Sequence, residues 1–76
     1  MNKIRRKSLQ AVIDRIEDLR SVLEELRDEE QEYMDNMPEN LWGSERYNKA
    51  EEAISDMDFA LDNLEQAVSY IESAQE

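Results

Sequence analysis

The sequence predicts an all-α fold: an antiparallel two-helix hairpin, coiled-coil-like, that self-associates into a four-helix bundle. Three observations predict it. Apolar residues recur every three to four positions through two long stretches, which is the period of an amphipathic helix. A short segment between these stretches holds the only proline and the only glycine, Pro38 and Gly43. With 76 residues and no cysteine, one hairpin buries little surface, so additional burial against a second copy is expected.

The first helix is predicted over residues 3–36. Its large apolar residues occupy the a and d positions of a heptad repeat. They are Leu9, Val12, Ile16, Leu19, Leu23 and Leu26. Ile13 and Val22 widen this stripe on its two flanks, which suits a multi-helix bundle better than a narrow two-stranded coil. Ser8 is one candidate N-cap, and a start nearer Asn2 is the alternative.

The turn is predicted over residues 37–44. Proline disfavours helical geometry in the residue before it, so the first helix should end before Pro38. Gly43 can adopt a left-handed backbone conformation, and Ser44 is a good N-cap for a second helix. Because the connection is this short, the two helices should be antiparallel neighbours.

The second helix is predicted over residues 45–74, and it contains a seven-residue sequence repeat that occurs three times from Ala53 onward. Each repeat begins with alanine and a larger apolar residue, and another apolar residue follows three residues after the larger one. The larger residues are Ile54, Met57, Leu61, Leu64, Val68 and Ile71. The resulting stripe is three positions wide, so one neighbouring helix covers only part of it. We therefore expect the apolar residues of both helices to mediate self-association, most simply as a homodimer.

Charge limits the kinds of partner. Nine basic and twenty acidic residues give a net charge of −11, which repels nucleic acid and anionic membranes. The basic start of the chain has no apolar run after it, so a signal peptide is not expected. No stretch approaches the length of a membrane span, and we expect a cytoplasmic protein.

Catalytic and metal-binding motifs are missing from the sequence. There is no histidine and no cysteine, which removes the usual general base and the thiolate ligands. A calcium loop starting at Asp28 needs glycine at its sixth place, where Tyr33 stands. Other carboxylate pairs have the spacing of helical nucleotide pyrophosphatases but fall at c and f positions, away from the a/d seam. These pairs are Glu25 with Asp28 and Glu32 with Asp35. We expect no enzyme activity and no cofactor.

Three aromatic residues are candidates for binding another protein. Phe59 and Tyr70 are eleven residues apart, which places them on nearly the same outward line of the second helix. They form a partner surface, a pair of rings half-buried over the first helix, or a contact in a wider oligomer. Trp42, in the turn, either forms a binding tip or closes the end of the core, and the need of a large ring for burial favours the second.

Two functions are compatible with these features. The first is a non-catalytic protein–protein interaction module. The alternative is an acidic nucleic-acid mimic that inhibits a host protein with a basic groove, because eight acidic residues and no basic residue follow Lys49. A rigid helix with carboxylates along its flanks can imitate duplex phosphates, although solubility is the common reason for such charge.

The turn also carries a resemblance. Residues 37–47, MPENLWGSERY, with Ala50 and Glu51 after them, resemble the turn of small acidic helical proteins from bacterial chromosomes, phages and mobile elements. The similarity extends from the helix before the turn to the alanine repeat after it. These proteins have no assigned activity, so the resemblance implies a biological setting and no site residues. Inhibitors of host machinery are common in that setting, which favours the mimic alternative.

Overall fold

Two long helices joined by a short turn make up the whole chain. The computed structural model describes residues Met1–Glu76. Helix α1 spans Lys3–Asp35, a single 3-10 turn spans Glu39–Leu41, and helix α2 spans Glu45–Ala74. The two helices pack against each other and there are no strands, so the prediction of an all-α hairpin is confirmed. The molecule is a rod of 59 × 15 × 12 Å.

The start of α1 is fixed by Asn2, the second of the two N-caps considered. Its Oδ1 accepts a hydrogen bond from the backbone N–H of Arg5 at 2.7 Å, which satisfies one of the free donors of the first turn. Ser8 lies inside the helix instead, where its hydroxyl donates to the carbonyl of Ile4 at 3.2 Å.

The turn joins the two helices through the residues that the sequence singled out. Asn36 is the C-cap of α1, so the helix ends one residue earlier than expected. Gly43 has a φ of +86°, the left-handed conformation that glycine adopts without steric cost. The hydroxyl of Ser44 accepts a hydrogen bond from the N–H of Tyr47 at 3.2 Å, which confirms Ser44 as the N-cap of α2.

The interior of a single hairpin is thin. Five of the 76 residues are buried, and no large side chain is completely enclosed. The five are Ile13, Met37, Ala50, Ile54 and Val68. Two helices can cover each other along only one line, so most apolar residues stay partly exposed to solvent. This interior is small for a stable domain.

Helix α1 meets α2 along a line displaced from the predicted heptad seam. The heptad assignment places Leu19 on the line that should face another helix, yet Leu19 is 65% exposed. The covered residues follow a neighbouring row of the same stripe: Leu9, Ile13, Ile16, Arg20, Leu23, Arg27 and Met34. Two of these covered residues are arginines. Their long side chains reach acidic residues of α2, and the Nε of Arg20 is buried there without a hydrogen-bond partner.

Ion pairs connect the helices along the covered edge. The Nε of Arg27 donates to the Oδ1 of Asp58 at 2.9 Å, and Arg20 Nη2 lies 3.8 Å from Glu65 Oε2. The hydrogen bond to Asp58 raises the pKa of Arg27 above its ordinary value, so this guanidinium is charged at any physiological pH. Exposed pairs of this kind contribute little to stability. They do mark which edge of the hairpin is closed.

Candidate interaction surface

An uncovered strip of apolar residues lies on α1. It consists of Val12, Leu19, Val22, Leu26 and Tyr33, all of them exposed in the hairpin. Around the helix, the rows of the heptad follow one another in the order Val22, Leu19, Ile16, Arg20, at about 50° per row. Because Arg20 belongs to the closed edge, Val22 and Leu19 lie on the opposite side of the line that contacts α2.

The alanine repeat of α2 adjoins this uncovered strip. Around α2 the rows follow in the order Ala53, Met57, Ile54, Asp58. Asp58 pairs with Arg27 on the closed edge, so the alanine row lies on the other edge. We call the combined surface the open face. It consists of Val12, Leu19, Val22, Leu26 and Tyr33 on α1 with Ala53, Ala60 and Ala67 on α2.

The residues predicted for self-association therefore divide into two groups. Most of them contribute to packing within the hairpin, where they are buried or half-buried: Leu9, Ile16, Leu23, Ile54, Met57, Leu61, Leu64, Val68 and Ile71. Three of them remain exposed on the open face: Val12, Leu19 and Leu26. The sequence reasoning did not identify Arg20 and Arg27 as contacts between the helices. The available signal was their place in the row of Ile13, seven and fourteen residues further along.

Phe59 and Tyr70 point away from α1. Their side chains are 66% and 75% exposed, so the interpretation of two rings half-buried over the first helix is wrong. Both lie outside the open face, because the rows of α2 that carry them are on its far side. They remain candidates for contact with another protein.

Trp42 lies at the turn end of the hairpin. Its indole N–H donates to the carbonyl of Met37 at 3.1 Å, and its ring centroid is 6.3 Å from that of Tyr47. The indole is nevertheless about half exposed. The ring therefore covers the end of the interior with one side and presents the other to solvent.

A shallow groove of about 440 Å³ lies near the turn, where both helices contribute charged side chains. It is lined by Glu30, Tyr33, Glu45, Arg46, Lys49 and Ala50. Lys49 is paired with Glu45 at 3.2 Å, so part of this charge is already neutralised. Nowhere in the chain do three or more acidic side chains converge in a way that could hold a metal ion.

Comparisons with known protein families, curated proteins and solved structures give no match to this chain. The resemblance of residues 37–47 to small acidic proteins of phages and mobile elements therefore stays a prediction. Neither helix contains a segment both long and apolar enough to cross a membrane.

Proposed function

We propose that this protein is a non-catalytic protein–protein interaction module that self-associates, with two antiparallel hairpins forming a four-helix bundle. The observation that carries the proposal is the open face. Leu19, Val22 and Leu26 lie on one side of α1, uncovered, in a hairpin whose own interior is thin. A continuous exposed strip of apolar residues of this kind marks an interaction surface.

The antiparallel direction is supported by three contacts between the helices. They join Gln10 to Gln75, Arg20 to Glu65, and Arg27 to Asp58. Residue numbers rise along α1 while those of the contacted residues fall along α2. This order is the one that a short turn requires of two neighbouring helices.

A four-helix bundle is supported by the angle between the two lines of contact on α1. The line that faces α2 and the line through Leu19 and Val22 are about 100° apart around the helix, since successive heptad rows are about 50° apart. In the cross-section of a four-helix bundle, the directions from one helix to its two neighbouring helices are roughly 90° apart. The alanine row of α2 permits close approach on the corresponding side of that helix.

Light scattering over a range of protein concentrations tests this proposal. One chain has a mass of 9.0 kDa, and we expect twice that mass at micromolar concentration. Because each copy carries a net charge of −11, added salt should screen the repulsion between copies and leave the dimer intact or strengthen it. A monomer that stays fully helical at micromolar concentration would contradict the proposal.

The acidic surface favours a second candidate, the nucleic-acid mimic directed at a basic groove. Every carboxylate side chain except that of Glu30 is exposed, on a rod 59 Å long. Here binding to a basic nucleic-acid-binding protein should weaken steeply as salt is raised. A contact through the aromatic residues should instead be insensitive to salt, and it should be abolished by Phe59→Ala with Tyr70→Ala. Affinity that does not change with salt would rule out mimicry.

A further inference from the structure

The open face of α1 reads nearly the same in both directions when its charged neighbours are included. Arg15 and Glu29 lie in the same heptad row as Val22, seven residues before and seven residues after it. The full order is Val12, Arg15, Leu19, Val22, Leu26, Glu29, Tyr33. Reversing this order exchanges Leu19 with Leu26 and replaces the cation by the anion, while Val22 keeps its place.

Neither Arg15 nor Glu29 forms an ion pair within the hairpin. Arg15 and Glu29 are both exposed, and the ion pairs of the molecule involve other basic residues: Arg20, Arg27 and Lys49. A surface that is its own complement under a two-fold rotation is the requirement for a symmetric dimer contact, in which residue i meets residue j and j meets i.

We infer that α1 packs against α1 of a second copy in antiparallel fashion, with the two-fold axis beside Val22. This inference rests on the proposed self-association and adds the orientation of the two hairpins. Arg15 of each copy then lies beside Glu29 of the partner copy, which gives two ion pairs at the edge of the contact. Leu19 lies near Leu26 of the partner copy.

Charge disfavours the two other ways of covering the face. A parallel α1 pair brings Arg15 beside Arg15 and Glu29 beside Glu29, so like charges meet twice. Packing α1 against the alanine row of α2 of the partner copy leaves Arg15 and Glu29 without an oppositely charged neighbour, since Ala53, Ala60 and Ala67 carry no charge. In the three contacts between the helices, the two residue numbers add up to 85.

The same axis suits α2 as well. Since contacting residue numbers add up to 85, Val22 lies level with Asn63. Ala60 and Ala67 lie three residues before and four residues after Asn63, as Leu19 and Leu26 do about Val22. One two-fold axis therefore brings alanine next to alanine between the two α2 helices. Small residues at such positions let helices approach closely, which closes the bundle on that side.

Cysteine cross-linking tests the orientation, and the chain contains no native cysteine to interfere. We expect Val22→Cys to form a disulfide-linked dimer readily under mild oxidation, because the two copies of this residue meet at the axis. Val12→Cys should not link to itself, since its two copies are about 30 Å apart at ~1.5 Å per residue. Mixing Val12→Cys with Tyr33→Cys should give the mixed dimer. Phe59→Cys, outside the face, reports random collision.

Charge reversal provides a second measurement that needs no cysteine. Arg15→Glu alone and Glu29→Arg alone should each weaken the dimer roughly tenfold, because each change leaves like charges at both ends of the contact. The double variant should recover the original affinity, since the two pairs are restored with opposite sign. Failure of the double variant to recover affinity would overturn the antiparallel arrangement.

The two proposals fail in distinguishable ways. A dimeric mass with efficient self-linking of Val12→Cys, or with no linking of a folded Val22→Cys variant, overturns the orientation and leaves self-association standing. A monomeric mass at every concentration overturns both proposals. Circular dichroism of each variant verifies that the helices are retained before cross-linking is compared.

Discussion

Replacing Leu19 and Leu26 with lysine is expected to dissociate the proposed dimer. Leu19 is 65% and Leu26 51% exposed within one hairpin, so the substitutions remove only part of the contacts inside that hairpin. In the bundle, each lysine removes apolar contact and places an ammonium group against the second copy. With two sites in each of two copies, the loss is on the order of 4 kcal/mol or more. The dissociation constant should then rise by on the order of a thousandfold.

The measurement is sedimentation equilibrium or light scattering, with circular dichroism on the same samples. We expect the mass of a single chain and a reduced helix content at micromolar concentration, because the isolated hairpin has a thin interior. The matched control is Phe59→Lys with Tyr70→Lys, which adds the same charge at residues that are at least as exposed but outside the open face. The account is wrong if both double variants keep the mass and melting temperature of the natural protein.

Replacing Ile54 with alanine is expected to destabilise the hairpin itself. Ile54 is 6% exposed and is among the most deeply buried large side chains. Truncating a buried isoleucine costs about 2–5 kcal/mol, since the removed methyl groups leave a cavity that the helices fill only partly. For a domain of this size, about 3 kcal/mol lowers the melting temperature by roughly 10–25 °C.

Ile4→Ala is the matched control, because it makes the same chemical change at a residue that is 80% exposed. We expect its free energy of unfolding to change by less than about 0.5 kcal/mol. Both variants are compared by thermal and urea denaturation at one protein concentration, since the stability of a dimer depends on concentration. Equal melting temperatures for the two variants would show that Ile54 is not covered as described.

The sequence is informative about the helices and their ends because those features depend on local interactions. A period of three to four residues, a single proline and a single glycine are enough to predict two helices and a turn. Ser44 as N-cap follows from one side chain and the first turn of one helix. Such features need no knowledge of what lies across the interface.

The sequence does not determine which row of the stripe faces the other helix. On α1 the apolar residues fill several adjacent rows, and periodicity alone cannot select two of them. The assignment of heptad a and d positions predicted that the row of Leu19 faces the other helix. In the structure the covered row is that of Ile13, in which Arg20 and Arg27 reach Glu65 and Asp58 on α2. Which row is covered depends on side-chain contacts between two helices that already lie side by side.

The periodicity of this chain is enough to predict two amphipathic helices with more apolar surface than one pairing can cover. The packing of the helices is needed to locate the uncovered part, which lies on Leu19, Val22 and Leu26 along one side of α1, away from the interhelical ion pairs. Helical period depends on neighbours along the chain, whereas burial depends on which residues of a distant segment come into contact.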